Sequence, residues 1–401
     1  MRERLKSLAP GWALKLYQKV RFILITALFQ AFKIVPIKPC RVVLCNVWGF
    51  GDNAKYVTEE LARRNLKQLE IIFITNHPEA AGEIKGVKLY KSNSIKAVYA
   101  LATARIWVDN NRKESYIQKR KGQYYIQTWH GGIALKKIEK DYAEHLGSAY
   151  VKNAKRDSAM TDLYISNSDF CTGMYKKSFW YKGEILECGS PRNDILIRPK
   201  KEINEQVRKA LGIRNDIKIA LYAPTYREGK DNTKAYSLDY DKLLQELSMK
   251  FGGEWIAAVR LHPLVSAQSD SIGYSNRVIN MTHYRDIYEL MSVSDVLITD
   301  YSNIMFEFSF TEKPVFLYAA DRKEYDTDRG FYFDYDALPY YKAGNMEKLI
   351  CGIREFDKAS YEASVRAFFE GLVLYENGEA SKTVADKIIE VIRASRTALG
   401  K

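Results

Sequence analysis

The chain has 401 residues, 46% of them hydrophobic, with 62 Lys and Arg against 49 Asp and Glu, for a net charge of +13. That length suits two domains with packed cores, and 28 Tyr beside only 10 Pro argue against a disordered or fibrous chain. The charge is uneven: residues 1–39 hold eight bases and one acid, which leaves only +6 for the other 362 residues.

Residues 12–33 read as one helix, with Lys and Arg set among Trp, Leu, Phe and Ile. Its uncharged stretch, Phe22 to Phe32, is eleven residues long, whereas a bilayer span takes about 20. Lys33-Ile-Val-Pro-Ile-Lys-Pro39 offers no small-residue cleavage site, which argues against a signal peptide. Two readings fit such a helix: it lies in a membrane interface against anionic lipid, or it packs its apolar side on the protein's own core. The first makes the protein peripheral at the cytoplasmic face of the membrane. No nucleic-acid recognition module accompanies the charge, so no nucleic-acid partner is expected. The five cysteines are scattered without a Cys-x-x-Cys pair or a His cluster, so reduced thiols and no metal site are expected.

From residue 39 onward, apolar runs of strand length alternate with helical segments. Strands are expected at 41–46, 70–75, 88–90, 104–109, 124–128 and 162–166, with a turn at Gly49-Phe-Gly-Asp-Asn53 and a helix over 55–66. After Gly189-Ser-Pro-Arg-Asn-Asp194 the pattern restarts with a helix over 200–210 and strands at 218–223, 255–260, 277–280, 296–299 and 314–318. Helices are expected at 240–250 and 286–292, and terminal helices from about residue 361. Such alternation predicts α/β units with largely parallel sheets covered on both faces. The expected organisation is a basic amphipathic segment at 1–38, one α/β unit at 39–195 and a second at 196–401, hinged near 190–200. The cleft between them, at the carboxyl ends of strands, is the expected site.

His130 closes a strand in Gln127-Thr-Trp-His-Gly-Gly-Ile133, just ahead of Lys136 and Lys137. Gly131 and Gly132 permit positive φ and close approach of a ligand, so His130 is a candidate general base beside an anion; the alternative is a satisfied His at a strand–helix turn. In Val259-Arg-Leu-His-Pro263, Arg260 and His262 fall on one strand face and both can donate to phosphate oxygens, unless His262 merely caps the strand end. Tyr222-Ala-Pro-Thr-Tyr-Arg227 ends another strand with a hydroxyl and a guanidinium suited to a diphosphate. Between Asp295 and Phe308 a strand runs through Thr299 into a helix expected to begin near Ser302. The hydroxyls of Thr299 and Ser302 and the free N–H groups of that helix start suit an anion, and Glu307 can accept ribose hydroxyls. The alternative there is a capped core helix with Phe306, Phe308 and Phe310 turned inward. His77, His145 and His283 read as structural. A Walker A lysine loop, an intact Gly-x-Gly-x-x-Gly and a nucleophile elbow are missing, which argues against ATP hydrolysis, hydride transfer and serine hydrolysis.

Taken in order, these pieces resemble the CDP-glycerol glycerophosphotransferase family of teichoic-acid and capsule biosynthesis. The resemblance runs from about residue 41 to residue 335. It rests on His130-Gly131-Gly132 with Leu135-Lys136-Lys137, on Ser166-Asn167-Ser168, and on the 189–194 segment. It continues with Tyr222 to Arg227, Arg260 to Pro263, Asp295 to Phe308, and Asp321-Arg-Lys-Glu-Tyr325 leading to Arg329-Gly-Phe-Tyr332. It implies a GT-B-like fold whose two Rossmann-type domains grip a CDP-alditol, CDP-glycerol or CDP-ribitol. The implied reaction moves an alditol phosphate onto a hydroxyl of a polyprenyl-diphosphate-linked saccharide acceptor and releases CMP. By the same resemblance His130 is the base, and Arg227, Arg260, His262, Thr299, Ser302 and Asn303 surround the donor diphosphate. Glu307, Pro224 and Thr225 fall to the nucleoside, and Gly131, Gly132 and Lys136 to the acceptor side. No resident cofactor is implied, and a divalent ion such as Mg is left open. Gly132-Ile133 in place of Thr-Pro, Ser302-Asn303 in place of tandem Ser, and Leu338-Pro339-Tyr340-Tyr341 in place of a Pro-Gly stretch depart from the family pattern. They point to altered donor or acceptor detail. The chain length favours a primase-like or capsule-type transferase over a long-chain polymerase. The competing readings are a GT-B glycosyltransferase with a nucleotide-sugar donor and a membrane-surface binding protein.

Overall fold

The computed structural model describes residues 11–225, 238–261, 272–322 and 330–399. It opens with helix α1 (Gly11–Phe32), close to the expected 12–33. Seven strands follow: β1 (Lys38–Cys45), β2 (Glu70–Thr75), β3 (Val87–Lys91), β4 (Ala104–Asp109), β5 (Tyr124–Gln127), β6 (Leu163–Ser166) and β7 (Glu184–Glu187). They are ordered β3-β2-β1-β4-β5-β6-β7, every neighbour parallel. The interior strands are unbroken apolar runs because both faces are covered. Val42 and Leu44 of β1 face a cluster with Val57 and Leu61 of helix α2 (Asp52–Arg63), whereas Val43 and Cys45 face Val98 and Leu101 of helix α3 (Ile95–Thr103). That is the period-2 alternation of a strand buried on two sides. Ser94 caps α3 by accepting from the Ala97 amide. Helices α4 (Ser148–Met160) and α5 (Asp169–Ser178) complete this unit, and the Ser168 hydroxyl caps α5.

Helix α6 (Lys201–Leu211) leads into the second unit and stops at Gly212, whose φ of +68° gives the left-handed turn that ends a helix. Its strands are β8 (Lys218–Tyr222), β9 (Trp255–Val259), β10 (Val278–Asn280), β11 (Val296–Thr299), β12 (Val315–Tyr318) and β13 (Tyr341–Ala343). They are ordered β10-β9-β8-β11-β12-β13 and again all parallel. Helices α7 (Tyr240–Phe251), α8 (Ile287–Val293), α9 (Ile304–Phe308), α10 (Met346–Glu355), α11 (Lys358–Glu370) and α12 (Ala380–Leu399) complete the chain.

Both sheets reverse their strand order once, between β1 and β4 and between β8 and β11. At such a reversal the loops leaving neighbouring strands diverge, and a crevice opens beyond the carboxyl ends. The terminal helices, grouped by sequence with the second unit, divide between the two. The Tyr361 hydroxyl of α11 donates to Lys313 O and Phe369 packs on Phe310, both in the second unit. Val384, Ala385, Ile388 and Ile392 of α12 instead join Val42, Leu44 and Phe73 in the core of the first sheet. The chain therefore crosses between units twice, near residue 192 and again near residue 376.

Helix α1 also divides. Phe29 is fully buried, and Phe22 and Phe29 meet the Tyr116 ring edge-on. Ile25, Leu28 and Phe32 pack on the cluster that contains α3. Between Trp12 and Leu24 its other side is turned outward, with Trp12, Leu16, Tyr17, Val20, Ile23 and Leu24 exposed. Among the described residues no helix is long and apolar enough to cross a membrane.

Candidate active site

The carboxyl end of β5 delivers Trp129 and His130 to a cavity of about 350 Å³ between the two units. The first unit lines it with Gly131, Gly132, Lys136, Glu139 and Tyr150 as well, and the second with Thr225, Tyr301, Ser302 and Asn303. The walls are bonded to one another. The Leu135 amide donates to Asn303 Oδ1 at 3.0 Å. The Lys137 amide donates to Gly330 O at 3.1 Å and the Tyr332 amide to Leu135 O at 2.8 Å. Two of the sequence motifs, the run after His-Gly-Gly and the Gly-Phe-Tyr run, thus meet as an antiparallel bridge.

His130 Nδ1 lies 2.8 Å from the carbonyl oxygen of Asn110, in the loop that leaves β4. A carbonyl only accepts, so Nδ1 carries the proton and Nε2 holds the lone pair. Desolvation lowers the pKa of the ring below the ordinary imidazole value, against the Asn110 bond and the charge of Asp52, which raise it. A neutral imidazole with an unprotonated Nε2, exposed at a cavity, is a general base ready to act.

The two glycines behave differently from the expectation. Neither has positive φ; that conformation falls on Trp129, at +53°. Trp129 is held there by the His130 ring at 4.2 Å, the edge of Phe179 at 4.8 Å and the Arg112 guanidinium at 5.4 Å. Gly132 is needed for space, because a Cβ there would stand 2.4 Å from Asn167 Nδ2. Glu139 and Asp52 also have positive φ, at +55° and +57°. Non-glycine residues in that region store local strain, and three of them gather around His130.

On the second wall, Asp300 ties the loop after β8 to the loop after β11, accepting from the Thr225 amide at 2.9 Å and from its hydroxyl. Ser302 and Asn303 line the cavity beside it. Ser302 does not cap α9 with its side chain: Asn303 occupies the cap position, and neither hydroxyl nor amide closes the first turn. Thr299 is fully buried and donates to Ala223 O at 2.7 Å, and Pro224 is buried next to it, so neither reaches the cavity. Glu307 is buried and bonded to Arg192 and, at 2.7 Å, to the Tyr288 hydroxyl. Arg260 lies behind the wall, donating to Tyr284 O at 3.3 Å, and its buried Nε has no partner among the described residues. Burial lowers its pKa, against Asp286 and Tyr288. Arg227 and His262 lie outside the described residues.

Sequence reasoning missed Glu139, Tyr150, Arg112 and Asn110. Arg112 bonds Glu139 at 2.7 Å and Asp157 at 3.3 Å, and the Tyr150 hydroxyl donates to Glu139, which builds the cavity's polar flank. Asn110 had a legible signal, since it follows a central strand at the reversal point; Glu139 and Tyr150 had none. Among the described residues no group of three or more His, Cys, Asp or Glu is arranged to hold a metal ion.

Residues 27–390 match the family described as CDP-Glycerol:Poly(glycerophosphate) glycerophosphotransferase. A teichoic acid poly(glycerol phosphate) polymerase of Bacillus spizizenii is 30% identical over 393 residues, covering 94% of this chain and 99% of its own. A protein of the same description from Staphylococcus epidermidis is 31% identical over 376 residues, covering 89% of this chain, which spans about half (51%) of that relative. A solved structure of the wall teichoic acid polymerase TagF superposes with a TM-score of 0.82 at 28% identity, over 96% of this chain and 97% of that one. The two parallel sheets are arranged as in that structure, a GT-B-like pair.

Proposed function

The chain belongs to the CDP-glycerol:poly(glycerophosphate) glycerophosphotransferase family, and from that premise we propose that it transfers glycerol phosphate, or another alditol phosphate, from a CDP-alditol to a hydroxyl of a polyprenyl-diphosphate-linked acceptor. The observation that carries this reading is His130, pinned at Nδ1 by a backbone carbonyl and exposed at a cavity shared by the two units. The acceptor hydroxyl gives its proton to Nε2 as its oxygen bonds the β-phosphorus. The bond from that phosphorus to the bridging oxygen breaks, and CMP leaves with the electron pair. Lys136, Thr225, Ser302 and Asn303 line the same cavity and suit the phosphoryl oxygens and departing CMP. A divalent ion on the donor would add charge neutralisation there; comparing rates with and without EDTA tests for it.

Replacing His130 with Ala should lower CMP release by about 10²- to 10⁴-fold, with donor binding nearly intact by calorimetry. A variant with undiminished turnover would remove the base assignment. Release of a nucleoside diphosphate from a nucleotide sugar, without CMP, would favour the glycosyltransferase reading.

The reading includes a place at the cytoplasmic membrane surface. Trp12 (70% exposed), Leu16 (54%) and Leu24 (64%) project from α1 near Lys15, Lys19 and Arg21, a combination suited to an anionic lipid interface.

A further inference from the structure

Behind the cavity a chain of polar contacts runs from the second unit to the base. We infer that Arg192 is a positioning residue that ties His130 to the second unit, through Asp52 and Asn110 on one side and Glu307 on the other. The inference rests on the transfer reaction proposed above.

Arg192 sits in the 189–194 crossing. Its side chain is 4% exposed, and so is that of Glu307, which it bonds through Nη2. Its Nη1 donates to Asp52 Oδ1 at 2.9 Å, and its amide donates to Asn53 Oδ1 at 3.1 Å. Asp52 in turn accepts from Asn110 Nδ2 at 2.9 Å through its other oxygen. Asn110 is also fixed by a 3.3 Å bond to Asn46 Oδ1, and its own carbonyl takes the His130 Nδ1 proton. Every residue between Glu307 and the base is thus bonded to the next. The guanidinium is suited to the junction, since its planar fork reaches two carboxylates in fixed directions; a lysine would offer one point charge. The Tyr288 ring lies 5.0 Å from the guanidinium and its hydroxyl holds the second oxygen of Glu307, which fixes the far end.

The chain is specific because Asp52 and Arg192 act on the imidazole with opposite signs, Asp52 raising its pKa and Arg192 lowering it. Glu139, from the turn across the cavity, raises it, and Lys136 is the cation of the same lining. Activity needs neutral His130, so the acid limb of the rate profile follows its pKa.

The test compares pH profiles of CMP release, together with ¹⁵N spectra of the labelled imidazoles, for the whole chain and the variants Asp52→Asn, Arg192→Gln and Arg192→Lys. Asp52→Asn should move the acid limb to lower pH, Arg192→Gln should move it to higher pH, and Arg192→Lys should leave it in place. In Asp52→Asn the rate constant should fall about tenfold or more, as for partners that orient a reacting group, with the donor KM little changed. Equal loss at every pH with no shift of the limb, or an unchanged His130 tautomer and titration in all three variants, would overturn the inference. If Arg192→Gln does not fold, Asp52→Asn alone decides, because its amide oxygen still accepts from Asn110. The spectra need no substrate: a wild-type chain that turns over no CDP-alditol but shows the opposed shifts contradicts the proposed reaction and keeps the positioning role.

Discussion

Gly132 and Glu376 show how single residues bind the motifs into one body. Asn167, which leaves no room for a side chain at Gly132, donates to Glu376 Oε1 at 3.1 Å, and Asn193 donates to the same oxygen at 2.7 Å. Asn167 is buried in this network and cannot swing aside, so Gly132→Ala should cost about 1–3 kcal/mol of stability as overpacking, read by denaturant melts. A loss well below that range would mean that Asn167 yields. Desolvation raises the Glu376 pKa from 4.5 to about 8, against the Asn193 and Asn167 bonds that lower it. The unfolded chain gives up this proton near 4.5 and the folded chain near 8, so the group's contribution to stability falls as pH rises through that window. Glu376→Gln should therefore flatten the decline of the thermal midpoint across that range; an equally steep decline contradicts the assignment. The sequence offered Asn167 and Gly132 as separate motif members. Their partnership was not legible, because it depends on two loops meeting from strands that are distant in sequence.

At the scale of elements, α2 and α8 are joined across the units by a buried charge cluster. Lys55 Nζ lies 2.6 Å from Asp286 Oδ2 and also bonds Glu289, and the Tyr56 hydroxyl donates to Asp286 at 3.0 Å. Burial disfavours charge on both partners most, yet their attraction raises the pKa of Lys55 and lowers that of Asp286. Lys55→Met strands two buried carboxylates and should destabilise by about 3–5 kcal/mol, with Asp286→Asn in the same chain restoring part of the loss. A neutral single variant would show that the acids find other partners. The interior strands were legible, for continuous apolar runs have one good explanation when both faces are covered. The strands missed were β7 and β13, each at the edge of its sheet. Glu184-Ile-Leu-Glu187 and Tyr341-Lys-Ala343 are half exposed, and their mixed composition carries no burial signal. The candidate site was legible where it lies at strand ends, as with His130, Thr225 and Ser302. Thr299 and Glu307, named from the same strand and helix, lie outside the cavity lining, bonded to Ala223 O and to Arg192 and Tyr288. Length was no guide to primase or polymerase, since the Bacillus spizizenii relative covered to 99% is described as a polymerase.

For the whole molecule, the charge of +13 divides into +7 over residues 1–39, with Lys15, Lys19 and Arg21 on α1, and +6 over the nearly balanced body. The core reading describes the end of α1, anchored at Phe29 and Phe32, and the proposed lipid contact concerns its exposed residues alone. Removing the helix would strip that core. Substitution of Trp12, Leu16 and Leu24 by Ser should instead reduce sedimentation with anionic vesicles while leaving the thermal midpoint unchanged, and undiminished sedimentation would place the lipid contact elsewhere. The central claim is phosphoryl transfer with His130 as base. Its most direct measurement is the mass of a lipid-linked disaccharide acceptor incubated with CDP-glycerol and the purified chain, followed together with CMP. The account predicts that the acceptor gains glycerol phosphate in step with CMP release, and that His130→Ala lowers both by about 10²- to 10⁴-fold. Transfer at the wild-type rate by that variant, or an acceptor of unchanged mass while CDP-glycerol is consumed, would contradict it.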